Sequence, residues 1–263
     1  MKDKISIFAK RKRIYTVSIL SVLLLFLLAS GITAYDPVAG LVSAPKAFIW
    51  IITNLVPDQK SLERLPNILT KLSETAFLSV AVTVVAAICA FFFSLLGSRT
   101  TRVNSFLAGM VRIVAAFFRN VPDVVWAILL MFSFGQNILT GFFALFFTTF
   151  GMLTRTFIET VDEVSADCVE ALHAVGATYM QTVFQGIVPS SLSEILTWIL
   201  FMIETNIRSS TLIGILTATG IGYLFDLYYK RLDYGSASLV VLSIVVLVIG
   251  LESISSRIRK GIL

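Results

Sequence analysis

Residues 74–96, ETAFLSVAVTVVAAICAFFFSLL, decide the fold class. After Glu74 the stretch carries no charge, and as a helix it is long enough to cross a bilayer core of roughly 30 Å, which takes about 20 residues. The whole chain agrees: of its 263 residues 57% are hydrophobic and only 14% charged, whereas soluble proteins carry about a quarter charged residues. The composition argues against a soluble domain and points to a polytopic membrane protein, an all-α bundle of membrane-spanning helices.

Working outward, further apolar runs cover residues 14–34, 104–134, 138–157, 192–216 and 237–254, so the chain reads as about six spans. The first run is longer than the ~7–15 residues of a signal-peptide core, and nothing soluble follows it, so it reads as a retained span. Lys2, Lys4, Lys10, Arg11, Lys12 and Arg13 precede it. With that end inside, Arg99, Arg102, Arg155, Arg257, Arg259 and Lys260 fall on the same side, while Lys46, Lys60, Arg64, Lys71, Lys230 and Arg231 lie opposite. Basic residues concentrate on the cytoplasmic side of membrane proteins, so both termini are expected there. The net charge of +5 is thus a topology signal, not a nucleic-acid signal. Pro45 and Lys46 interrupt Val38–Val56, which reads as an interfacial helix, and residues 57–73 read as a polar external connection. Cys89 and Cys168 suggest no disulfide, and the lone His173 suggests no metal site. The expected organisation is a tail, first span and connection over 1–73, then a membrane-spanning helical domain over 74–263.

Polarity concentrates in three places. Residues 159–190 have helical patterning in what should be a cytoplasmic loop. Val161, Val164, Cys168, Ala171, Leu172 and Val175 take one face, and Asp162, Glu163, Asp167 and Glu170 the other. Gly176 interrupts this helix. A second short segment then places Tyr179, Met180, Val183, Phe184 and Ile187 on one side, and Pro189 ends it. Two short helices around a glycine turn form a knob whose apolar stripe must bury against the bundle's own base or a soluble partner; a plain solvated linker is the bland alternative.

The fifth span contains Ile203-Glu204-Thr205-Asn206-Ile207-Arg208-Ser209-Ser210-Thr211. A charge near the centre of a membrane helix costs about 2.5–3.5 kcal/mol, so these residues should face the bundle interior or an aqueous path. Glu204 precedes Arg208 by four, the favoured orientation for a helical ion pair, so mutual neutralisation between packed helices is an equally simple reading. The third span is interrupted by Arg119-Asn120-Val121-Pro122-Asp123. Pro122 removes a backbone donor, so a kink that exposes carbonyls to a pathway is expected; a packing kink with Arg119 reaching the interface is the alternative.

Glu170-Ala171-Leu172-His173-Ala174-Val175-Gly176-Ala177, followed by Phe184 and Gly186-Ile187-Val188-Pro189, resembles the EAA loop of binding-protein-dependent ABC importer permeases. Three further blocks make the chain similar to the phosphonate permease branch from about residue 75 onward. They are Arg119 to Ala127, Gly151-Met152-Leu153 leading to Glu159, and Glu204 to Gly214. Thr217-Ala218-Thr219-Gly220-Ile221-Gly222 departs from the family's glycine-richer run, which leaves the identity of the oxyanion open.

The resemblance implies a type I ABC importer fold and a homodimer in a bacterial cytoplasmic membrane. It also implies two ATPase subunits, with ATP and Mg on them, and an external solute-binding protein. ATPase coupling would fall to Glu170, Ala171, Gly176, Ala177, Phe184 and Pro189. The translocation path would use Arg119, Pro122, Asp123, Glu204, Asn206, Arg208, Ser209 and Ser210, carrying phosphonate, phosphite or phosphate. The chain has no G-x-x-x-x-G-K-[ST] loop, so it cannot cradle nucleotide in the P-loop manner, and no catalytic residue or cofactor is expected in it. A permease for another solute, such as an amino acid or metal system, is the main alternative. An ion-driven transporter would predict inverted repeats that the sequence does not display, and a membrane phosphatase would need a nucleophile with a positioned base.

Overall fold

The computed structural model describes residues 2–164 and 166–262, with the side chains of residues 2–7, 164, 166, 167 and 262 excepted. The faces assigned above to Val164 and Asp167 therefore lie outside the described residues. The described elements are helical, and the chain divides into two units, residues 1–55 and 56–263.

The first unit contains α1 (Lys2–Thr33) and α2 (Pro37–Asn54). Apolar side chains from Ile14 to Leu28 cover α1, and its residues 8–33 are long and apolar enough to span a bilayer. Helix α2 starts at Asp36, whose carboxylate accepts the Val38 and Ala39 amides, and Pro37 occupies a first-turn position where no donor is needed.

The second unit begins with α3 (Gln59–Glu63) and continues through α4 (Leu65–Gly97), α5 (Ser105–Asn120), α6 (Asp123–Phe134) and α7 (Ile138–Val164). Next come α8 (Ala166–Ala174), α9 (Tyr179–Gln181), a π-helical turn (Thr182–Ile187), α10 (Val188–Thr217), α11 (Gly220–Lys230) and α12 (Tyr234–Ile262). Helix α4 starts at Leu65 rather than Glu74, because Pro66 sits in its first turn and initiates the helix. Much of the expected external connection is therefore helical. Asp58 caps α3, and the Ser61 amide holds its carboxyl below the usual carboxylate range.

The expected kink in the third span is a break of 89° between α5 and α6. Pro122 drives Val121 into extended backbone, while Asp123 in the first turn of α6 suits the positive end of that helix. Packing on α7 shows that the broken pair still crosses the bundle. Arg112 pairs with Asp162, Phe118 stacks on Phe147 and Phe134 stacks on Phe143. Contacts thus advance monotonically along α5 and α6 as they retreat along α7. Among the described residues five helices qualify as spans, and the broken pair brings the total to six.

Helix α7 is the hub, packed against α4, α5, α6 and α10. Its Leu153 and Phe157 share a core with Ala86 and Ala90 of α4 and Met202 of α10. Gly151 permits a close helix crossing: a β-carbon there would lie 2.6 Å from the Arg119 nitrogen and 2.8 Å from the Ala115 oxygen. At the end away from the 164–188 connection, Arg64 forms an ion pair with Asp233 and lies over the Tyr228 ring.

Candidate functional site

The knob is built at the opposite end of the bundle. Helix α8 closes with the Gly176 N–H donating to the His173 carbonyl and the Ala177 N–H to the Leu172 carbonyl. This crossed pair requires a left-handed residue, and Gly176 supplies it with φ +78°. Thr178 and Gln181 then form a reciprocal capping box that restarts the helix.

Two details correct the sequence reading. The second segment is not a separate helix ended by Pro189. It winds through the π turn into α10, and Pro189 lies in the first turn of α10, where its missing donor costs little. The apolar stripe also divides. Val183 and Ile187 bury with Leu95, Val161 and Val169 at the base of the bundle, while Val175, Tyr179, Met180 and Phe184 project outward. Among the residues read as coupling groups, Glu170, Ala171, Phe184 and Pro189 are exposed and Ala177 is half-buried. Gly186 makes the fold-back possible, since a β-carbon there would meet Leu172 and Cys168.

The polar block of α10 separates into two faces. Glu204 is tucked in with its side chain 13% exposed, 3.3 Å from the Arg208 guanidinium, which is 54% exposed. Asn206 and Ser210 point the other way. Asn206 is buried between helices, its Nδ2 donating to Thr83 Oγ1 at 2.8 Å on α4 and lying 2.9 Å from Thr149 Oγ1 on α7. The Ser210 hydroxyl lies 3.1 Å from that of Ser79. Positions two apart on a helix differ by about 200°, so Asn206 and Ser210 lie on a different face of α10 from Arg208. Ser210 instead borders a cleft of about 330 Å³ that also touches Glu74, Thr75, Thr219 and Gly220. Ser209 is half-buried.

Beside the break, Arg119, Asn120 and Pro122 are exposed and Asp123 is half-buried, its carboxylate accepting the Val124 amide. The neighbouring Trp126 Nε1 is buried without a hydrogen-bond partner. Arg119 packs at Gly151 and Asn206 at Thr149, so the two polar regions flank α7 at one depth. Among the described residues no hydrogen bond or ion pair joins Arg119 to the Glu204–Arg208 pair.

Sequence reasoning missed three partners. Thr75, Ser79 and Thr83 recur every four residues on α4 and contact Ile221, Ser210 and Asn206 respectively. That spacing was the available signal. Asp162, read only as part of a polar face, joins α7 to the α4–α5 turn. Gly151 was noticed as a block but not as a helix crossing.

Comparison with known proteins fits this arrangement. The chain is 28% identical over 190 residues to the phosphate-import permease protein PhnE of Mycolicibacterium smegmatis, covering 72% of this chain but 36% of that protein. It is 27% identical over 189 residues to the phosphite transport system permease protein PtxC of Stutzerimonas stutzeri, covering 72% of this chain and 69% of the other. In fold it is similar to a chain of the methionine ABC transporter MetNI, with a TM-score of 0.66 at 18% identity over 78% of this chain and 99% of that one. An amino acid ABC transporter gives a TM-score of 0.60 at 15% identity, covering 84% and 97%. The fold is that of an ABC importer permease. Residues 83–262 match the family described as binding-protein-dependent transport system inner membrane component, and the chain belongs to that family.

Proposed function

We propose that this chain is the permease subunit of an ATP-driven importer for a phosphorus oxyanion: phosphate, phosphite or a phosphonate. The observation that carries the reading is Arg208. It lies within a membrane-length helix, yet its guanidinium is half exposed while Glu204 is tucked behind it. Lipid does not accept such a charge, so a water-filled path or a second copy must cover it. A guanidinium is suited to tetrahedral oxyanions, and Glu204, by competing for it, keeps capture weak enough for release. Relatives named for phosphate and phosphite transport favour that ligand class.

In this reading two copies form the path between them. Arg208, Ser209 and Glu204 lie on one wall, and Arg119 and Asp123 lie at the helix break. An external binding protein delivers the ligand. Both termini and the knob lie in the cytoplasm. The exposed Val175, Tyr179, Met180 and Phe184 seat in a cleft of an ATPase subunit, which holds the ATP and Mg. Nucleotide-driven approach of the two knobs rocks the bundle between inward- and outward-open states.

The test is to solubilise the tagged chain gently from its native membrane and measure ATP hydrolysis with added binding protein and a panel of phosphate, phosphite and phosphonates. Stimulation by one oxyanion is expected. A co-purifying ATPase that no oxyanion stimulates would refute the ligand class, and absence of any ATPase would refute the coupling assignment.

A further inference from the structure

Asp162 lies near the end of α7, just before the chain enters the knob. Its Oδ1 accepts the Ser98 hydroxyl at 2.5 Å and the Arg99 and Thr100 amides at 2.7 and 3.4 Å. Its other oxygen lies 3.6 Å from the Arg112 guanidinium, and Arg112 Nε donates to the Gly97 carbonyl at 2.9 Å. One carboxylate therefore gathers the end of α4, the α4–α5 turn, α5 and α7. Charge-assisted bonds of this kind are about twice as strong as neutral ones, and the side chain is largely shielded from solvent, at 25% exposure.

The same end of α7 is tied to the knob. Val161 packs with Leu95 of α4, Val169 of α8, Val183 of the π turn and Ile187. Among the described residues, Arg112–Asp162 is the ion pair that joins α5 to α7. From the Asn104 cap, α5 runs unbroken to Asn120, where the break begins. Arg112 is at the middle of α5, and a rigid helix held there transmits a displacement to its far end.

We infer that Asp162 is a positioning residue that makes α5 move with the knob, so that displacement of the knob reaches the helix break at Arg119–Asp123. The inference rests on the transport reading above and adds the physical connection between its two ends. No contact with ligand or nucleotide is assigned to Asp162.

Asp162→Asn keeps the size and one acceptor oxygen but removes the charge that holds Arg112. The assay is ATP hydrolysis by the assembled complex in lipid nanodiscs, with and without binding protein loaded with phosphite, phosphate or methylphosphonate, alongside uptake of the same ligand. The expected result is unchanged assembly and unchanged or raised basal hydrolysis, with stimulation and uptake reduced roughly tenfold. Asp162→Glu should restore part of the stimulation. A residue that only stabilises the fold would lower basal and stimulated rates together.

Wild-type stimulation and uptake in Asp162→Asn would overturn the inference. If that variant does not assemble, Arg112→Gln decides: loss of stimulation in an assembled complex supports the connection, and normal stimulation overturns it. Failure of the transport reading would look different, because the wild-type chain itself would then bind no ATPase or show no stimulation, and the inference would fall with it.

Discussion

Replacing Asn206 with leucine separates a helix clamp from a ligand contact. The residue is 3% exposed, and its side-chain amide reaches Thr83 on α4 and Thr149 on α7 at 2.8 to 3.1 Å. Because Thr149 meets both amide atoms through one hydroxyl, the structure offers two interhelical contacts. Hydrogen bonds between membrane helices average about 0.6 kcal/mol and reach about 1.7, so the pair is worth roughly 1–3 kcal/mol. Leucine has nearly the same volume, which removes the cavity contribution. Unfolding of the purified chain by SDS titration in bicelles, followed by tryptophan fluorescence, should show that loss. Thr149→Val removes one of the two contacts and should cost about half as much, roughly 0.6–1.7 kcal/mol, and the double variant should cost less than the sum, because the Asn206–Thr149 contact is shared. Unchanged stability in Asn206→Leu together with a collapse of uptake would refute the clamp and return Asn206 to the path.

Gly151→Val should destabilise the bundle by about 1–3 kcal/mol in the same titration, because its β-carbon meets backbone atoms of α5; wild-type stability would contradict the close crossing. Gly176→Val should cost about 1–2 kcal/mol locally from its positive φ and uncouple ATP hydrolysis from uptake. Since nothing lies within 4 Å of the added carbon, Gly176→Asn should retain most coupling, and equal damage from both would show that conformation is not the cause. Phe184→Ala, at an exposed position, should leave stability within about 0.5 kcal/mol yet reduce recovery of the ATPase on purification; full recovery would argue that the partner docks elsewhere. Arg208→Ala should preserve assembly and lower uptake about tenfold or more; normal uptake with normal assembly would remove it from the path, and failed assembly would make it structural.

The spans were legible because a bilayer imposes a length and an apolarity that few other environments demand. The turn at Gly176 was legible because the residues around it are helix formers and only glycine accepts the left-handed backbone without penalty. The break at Pro122 could be read from a missing donor, but its size depends on packing that periodicity does not record. Helix α5 is held at Gly151 while α6 follows Phe143 and Phe147, and the chain turns 89° between them. The π turn was hidden for a similar reason: Thr182–Ile187 carries no signature of its own, and its wider winding lets Thr182, Val183, Gly186 and Ile187 all face inward.

The division of α10 explains why polar residues crowd one stretch of a membrane helix. Between apolar helices in lipid, rotation about the long axis is weakly specified, because one aliphatic surface packs about as well as another. Contacts from α4 remove that freedom: Thr75 accepts the Ile221 amide of α11, and on α10 Ser79 meets Ser210 and Thr83 meets Asn206. With partners four residues apart on both helices, a rotation of α10 by one residue, about 100°, would break the last two contacts together. The fixed rotation is what turns Glu204 and Arg208 away from α4. Asn206 and Ser210 thus determine where Arg208 points.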